Sequence, residues 1–242
     1  METRTPRFIG QSVPRREDRR LLLGRGRFIA DIRLPGMLHA AFVRSDVAHA
    51  RIRAIGIERA LASPGVVAVF TGADIRPHLA PIAGMQNRPP KAWREAVEHE
   101  LSIPDQPILA TGKVCYVGEA IAVVVATDRY LAEDAAALVE VEMESLRPVD
   151  GIDAALDPAA PLVHDALSSN VIARLRMRKG DAAAVLVSGV RVLRHRFDNH
   201  RYAGMPIECR GVVAQLVERV AGRDLRVRDT DHGLRSAASA LR

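Results

Sequence analysis

Cysteine is scarce in this 242-residue chain: Cys115 and Cys209 are the only two, far apart and without a Cys-x-x-Cys spacing. That excludes a zinc site or an iron–sulfur cluster built from this chain alone, and leaves two reduced, partly buried thiols. Aromatic residues make up only 4% of the chain, too few for a platform on which nucleic-acid bases could stack. No uncharged run approaches the roughly 20 residues that a membrane span needs. The Arg pairs ahead of Leu21 to Leu23 outline a twin-arginine signal, but Arg25, Arg27, Asp31 and Arg33 interrupt what should be its apolar region. A basic face is missing as well. The net charge is +6 and the pI about 10.0, yet the basic residues are nearly all Arg and alternate with Asp and Glu, as in Pro14 to Arg20. Neither a nucleic-acid nor a membrane partner is expected, and the expected location is cytoplasmic.

What the chain does have is enough apolar residue, 48%, for at least one full core. A polar arm, Met1 to Arg16, precedes a short helix from Glu17 or Asp18 through Leu23 that Gly24 ends. Leu38 to Val43, Ile52 to Ile57 and Val66 to Phe70 have strand length, with a helical turn at Glu58 to Ala62 stopped by Pro64-Gly65. Six prolines between Ile75 and Pro107 predict an irregular excursion, with helical composition only over Trp93 to Glu100. Ala120 to Ala126 is a continuous apolar run suited to a strand covered on both faces. Thr127 or Asp128 then caps a helix carrying Tyr130, Leu131, Ala135 and Leu138 toward one side. Val139 to Glu144 alternates, which puts Val139, Val141 and Met143 on a buried face and three glutamates in water. Pro148 to Pro161, rich in Pro, Gly and Asp, reads as a domain boundary. Beyond it, Asp181 caps a helix over Ala182 to Ser188 ending at Gly189, and Val190 to Phe197 has strand character. The pattern is α+β.

Candidate chemistry is sparse. Gly24-Arg25-Gly26 lacks the third glycine and the preceding strand of a dinucleotide fingerprint, so it reads as a helix stop and bend. His195 and His200, five apart, fall on different faces of either a helix or a strand, which argues against shared metal ligation. Glu98-His99-Glu100 is a charge cluster whose neighbours in sequence do not converge on one reacting atom. Glu140, Glu142 and Glu144 share a solvated strand face. None of Ser12, Ser45 and Ser63 is flanked as Gly-x-Ser-x-Gly. Residue by residue, no catalytic, cofactor-binding or metal site emerges.

Ordered blocks do carry a resemblance. Phe8 to Val13, Arg16-Glu17-Asp18, Leu21 to Gly26 and Arg27 to Asp31 come first, followed by Leu34 to Ser45 and Ala48 to Ile52. Pro64 to Val69 with Thr71-Gly72, Tyr116 to Glu119, Ala122 to Val125 and Tyr130 to Ala135 complete the first part. In this order and spacing, residues 8 to 150 resemble the start of the large, molybdopterin-binding subunit of molybdenum hydroxylases, the xanthine dehydrogenase and aldehyde oxidase family. Pro161 to His164, Ser169 to Val171, Gly180-Asp181, Pro206 to Glu208 and Arg210 to Ala214 resemble the entry into the cofactor-binding portion. Departures are Ala120 and Cys209, where the family commonly has Pro, and a tail from Gln215 to Arg242 in which Asp224 to Arg228 replaces what should be a strand. Divergence after truncation and an altered reading frame both account for such a tail.

The resemblance implies an α/β hammerhead domain followed by an incomplete start of the molybdopterin-binding domain. The implied order is an extended arm at residues 1–19, the hammerhead at 20–150, a linker at 151–160, and the truncated first part of the molybdopterin-binding domain at 161–242. In the family, a glutamate near the carboxy terminus is the base that activates a molybdenum-bound hydroxyl. That hydroxyl attacks an aldehyde or N-heterocycle carbon, hydride passes to the sulfido ligand, and electrons leave through iron–sulfur clusters to a flavin. The chain is expected to end before that glutamate and before the glycine-rich cofactor loops. It should therefore bind no molybdopterin by itself and be inactive alone, with the rest of the large subunit or iron–sulfur and FAD-binding subunits as partners. Glu208 belongs to an early Pro-x-Glu block and is expected to be structural. The other readings are a non-catalytic hammerhead-derived binding or assembly module and a functionless truncated remnant.

Overall fold

The computed structural model describes residues 8–82, 98–102, 104, 106–176, 180–189, 191–200, 202, 204–206, 208–219, 222–229 and 235–236. Contacts divide the chain into two compact units, Met1–Pro35 with His195–Arg242, and Gly36–Arg194. In chain order the described helices are α1 (Asp18–Leu22), α2 (Glu58–Leu61), α3 (Gly72–Ile75), α4 (Arg129–Ala136), α5 (Ile152–Leu156) and α6 (Ala182–Ser188). The strands are β1 (His39–Arg44), β2 (Ala50–Gly56), β3 (Val66–Thr71), β4 (Glu98–Leu101), β5 (Lys113–Val114) and β6 (Ala120–Ala126). They continue with β7 (Glu140–Ser145), β8 (Ala173–Arg176), β9 (Val212–Arg219), β10 (Gly222–Asp229) and β11 (Arg235–Ser236).

The larger unit is built on two antiparallel sheets of order β1-β6-β3 and β5-β2-β7, with β4 and β8 forming a separate ribbon. β6 lies between two partners, which is why an unbroken apolar run is stable there as a strand. Ala122 and Val124 face one cluster with Ala60, Val69, Ala135 and Val139. Ile121 faces a second with Ala50, Ala110 and Val114. α4 starts at Asp128, whose carboxylate accepts from the Tyr130 amide at 2.8 Å, and it buries Ala132 and Ala135. In β7 the glutamates are exposed while Val141 and Met143 are half-buried, so the alternation at 139–144 is realised as a half-exposed strand.

Two glycines are needed where they stand. Gly65 turns at φ +75, and a Cβ there would lie 2.6 Å from Leu131 Cδ1 and 2.8 Å from Thr127 Oγ1. At Gly72 a Cβ would lie 2.6 and 2.9 Å from the Ala110 and Leu109 carbonyl oxygens, so the start of α3 can meet the 109–111 backbone only without a side chain.

The smaller unit holds α1, a 3-10 turn at Ile29–Asp31, and an antiparallel sheet of order β11-β10-β9.

Several expectations need correction. Glu98 to Glu100 is strand, paired with 174–176 of β8, not the end of a helix; residues 93–97 of that expected helix lie outside the described residues. Residues 191–200 have no regular structure, so Val190 to Phe197 is not a strand; Val190 itself is outside the described residues. Its apolar side chains Leu193 and Phe197 are exposed, and strand propensity without a partner edge does not hold a strand. Tyr130 is exposed, and Ala132 takes its place on the buried face of α4. The tail is more regular than expected, because Asp224 to Arg228 pairs along β9 as a strand, Leu225 opposite Leu216. The alternation Leu225-Arg226-Val227-Arg228 suffices for that pairing.

Candidate functional site

The residues weighed from sequence do not come together. Glu140 is paired to Arg59 at 2.7 Å, Glu144 to Arg53, and Glu142 is exposed, so the three glutamates are a charged outer strand face. Glu100 lies 3.6 Å from Arg174 across the β4–β8 ribbon. His195 stacks edge-on against Phe197 with ring centroids 4.7 Å apart, and His200 is exposed in the same irregular stretch. Gly24, at φ +66, ends the first helix. Ser12 is exposed; Ser63 Oγ donates to the Arg59 carbonyl; Ser45 is buried, its Oγ donating to the Val47 carbonyl at 2.7 Å. Glu208 accepts a hydrogen bond from the Ile29 amide at 2.9 Å, which satisfies one free donor of the 3-10 turn within the smaller unit. Cys209 is exposed and Cys115 half-buried, both as free thiols.

A different polar group is assembled in the larger unit from residues that sequence spacing did not single out. Lys113, on β5, has a side chain only 14% exposed, and its Nζ donates to Asp165 Oδ1 at 2.8 Å and to the Leu162 carbonyl at 3.3 Å. Arg51 of the neighbouring β2 lies 3.9 Å from the other Asp165 oxygen. These cations hold the Asp165 carboxyl below the usual range, the Lys113 hydrogen bond first. Glu119 is buried and accepts from the Cys115 amide at 2.5 Å. Burial pushes the Cys115 thiol up, with Glu119 adding to it. Burial also pushes His164 down, and the Lys113 cation adds to that.

Beside this group His49, 5% exposed, has Nδ1 2.8 Å from the Arg147 carbonyl, which can only accept, so Nδ1 carries the proton. Its Nε2 is buried with no hydrogen-bond partner among the described residues. Sheet pairing of Ala50 with Val114 and Arg51 with Lys113 brings the His49 end of β2 to β5, and the return of 161–170 adds His164 and Asp165.

This geometry holds chain segments together. Among the described residues no group of three or more His, Cys, Asp or Glu is placed to hold a metal ion, and no helix is long and apolar enough to cross a membrane. A molybdopterin needs amides from glycine turns converging on one deep cleft. Here Gly65, Gly112 and Gly118 turn singly at separate places. A cleft of about 230 Å³ beside α3 is walled mainly by Ile75, Leu79, Pro81 and Leu109, with Arg76 as its one charged residue. That apolar cleft does not fit the cofactor.

The fold is that of an α+β domain of hammerhead type. Residues 23–147 match the family model described as aldehyde oxidase and xanthine dehydrogenase, a/b hammerhead domain, and the chain belongs to that family. It is 40% identical over 212 residues, 86% of the chain, to the 6-hydroxypseudooxynicotine dehydrogenase complex subunit gamma of Paenarthrobacter nicotinovorans. It is 35% identical over 172 residues, 69% of the chain, to the xanthine dehydrogenase molybdenum-binding subunit of Escherichia coli O157:H7. Among solved structures, quinoline 2-oxidoreductase from Pseudomonas putida 86 matches 85% of the chain at 46% identity with a TM-score of 0.73. The relatives are large subunits of molybdenum-dependent oxidoreductases. The chain spans about a quarter of the relatives' length: 25%, 22% and 25% of these three.

Proposed function

We propose that this chain is the amino-terminal part of the large subunit of a molybdopterin-dependent oxidoreductase, and that it acts there as scaffold, with none of its residues catalytic. The order is an arm at 1–19, the hammerhead at 20–150, a linker at 151–160 and the first part of the molybdopterin-binding domain at 161–242. Molybdopterin, the catalytic base and the electron path belong to the rest of the large subunit and to iron–sulfur and FAD-binding subunits, assembled in the cytoplasm without nucleic acid or membrane. The observation that carries this reading is the 46% identity to quinoline 2-oxidoreductase sustained over 85% of the chain. The same identity favours an N-heterocycle over an aldehyde as the substrate of the assembled enzyme.

The exposure of Val185, Leu186, Val187, Leu193, Tyr202 and Met205 supports the scaffold role. Apolar side chains gathered in one stretch of sequence are what a chain presents when further protein covers it.

The test has two arms. Purified from a host that makes molybdopterin, the chain alone should carry no stoichiometric molybdenum or pterin and leave quinoline unchanged. Exchanged for the matching quarter of the quinoline 2-oxidoreductase chain, it should retain quinoline oxidation. Turnover by the chain alone overturns the reading, and so does a folded, molybdenum-loaded chimera without turnover.

A further inference from the structure

Residues 161–170 leave the hammerhead and lie back against it within the same compact unit. None of their side chains is among the fully buried hydrophobic residues; Leu162, Val163 and Leu167 are only half-buried, and polar contacts add to the hold. Lys113 Nζ takes both Asp165 Oδ1, at 2.8 Å, and the Leu162 carbonyl, at 3.3 Å. Arg51 approaches Asp165 Oδ2 at 3.9 Å. Cys115 Sγ donates to the Val163 carbonyl at 3.5 Å. The segment is also tied to itself: Asn170 Oδ1 accepts from the Val163 amide at 2.9 Å, and its Nδ2 donates to the Pro161 carbonyl at 3.0 Å.

We propose that residues 161–170 are a strap that moves as a unit, latched by Lys113 across Asp165 and Leu162, and that closing the latch shields the Cys115 thiol. The physical basis is a contrast in how the pieces are held. The sheet beneath is fixed by buried Ala50, Val114 and Ile121, whereas the strap has no fully buried side chain and rests on half-buried Leu162, Val163 and Leu167, the Lys113 cation and a few hydrogen bonds. Segments held this way open locally well before the domain unfolds. The Asn170 bridges keep the loop closed on itself, so it departs whole. This holds whether or not the chain serves in an oxidoreductase, because it concerns only the 36–194 unit.

Cys115 and Cys209 supply the readout, since Cys209 is exposed and serves as an internal reference. The full chain is labelled with a thiol-reactive disulfide at pH 7.5, and the two sites are resolved by mass spectrometry. In Lys113→Met and in Asp165→Asn, Cys115 should react roughly fivefold faster than in the parent while Cys209 is unchanged, as expected for losing one partly exposed ion pair that holds a local opening closed. Lys113→Met is the decisive variant. The Lys113 cation favours the Cys115 thiolate, so its removal without strap opening would slow the reaction; acceleration can only come from uncovering. Unchanged or slower Cys115 labelling in Lys113→Met with circular dichroism retained overturns the proposal. Equal acceleration of both cysteines also overturns it, because the opening is then global.

Discussion

The helices Arg129–Ala136 and Ala182–Ser188 begin alike and end in different surroundings. Each is started by an aspartate: Asp128 accepts from the Tyr130 amide at 2.8 Å, and Asp181 from the Ala184 amide at 3.0 Å. Each is rich in alanine and aliphatic residues. The first buries Ala132 and Ala135 in the cluster around Val124. The second buries nothing, with Leu186 60% and Val187 88% exposed. Capping and propensity are enough to start a helix, but only a packed face ties its stability to that of the domain. The hammerhead body therefore has a packed core, whereas α6 leaves its aliphatic side chains exposed.

The comparison breaks most readily at matched aliphatic positions. Ile121 is 1% exposed in the cluster with Ala50, Ala110 and Val114, so Ile121→Ala should lower unfolding free energy by about 3 kcal/mol. Leu186→Ala should change it by less than about 0.5 kcal/mol. Urea titration of the full chain measures both. If Leu186→Ala approaches the loss at Ile121, the 182–188 helix has a buried face in solution and the contrast fails.

The caps sharpen it further. Asp128→Ala should cost about 1 kcal/mol of domain stability, the usual loss for an N-cap aspartate. Asp181→Ala removes the cap bond from the Ala184 amide in a helix that is not coupled to the core. It should leave the urea midpoint unchanged and only speed amide exchange over 182–188. A midpoint shift of equal size in both variants would show that the second helix is part of the cooperative unit.

How much of this was legible in sequence follows the same division. Local signals were enough where one segment supplies them: the alternation at Val139 to Glu144, the apolar run Ala120 to Ala126, and the Asp128 and Asp181 caps. They misled where the outcome depends on a partner. Val190 to Phe197 has the composition of a strand and no edge to pair with, whereas Glu98 to Glu100 has poor strand composition and pairs with 174–176. Lys113, His164 and Asp165 were invisible for a related reason. Their positions 51 and 52 apart carry no periodicity, and only the return of 161–170 onto β5 brings them together. One sign was available: Pro161 to His164 stood out as a resemblance block, although without any indication of what it touches.

The smallest effect concerns that returning segment. His164 is held below its ordinary value of 6.5, first by burial and then by the Lys113 cation, with His49 acting the same way and Glu119 and Asp165 opposing. The unfolded chain therefore takes up the proton at higher pH than the folded one does. Stability should be complete above about pH 6.5 and fall as the pH drops from there toward the depressed folded value, levelling off once both states are protonated. Asp165 has the opposite charge and a separate window. Its carboxyl is held below 3.8 by Lys113, so its contribution is present above that value and is lost only as pH falls through the lower folded one. Urea midpoints taken between pH 7.5 and 4.5 thus isolate the histidine. His164→Gln should flatten the part of the slope that begins near 6.5, while Asp165→Asn should leave that onset in place over this range. A His164→Gln profile identical to the parent would mean that the imidazole is solvated in both states, and that the strap carrying it does not lie against β5.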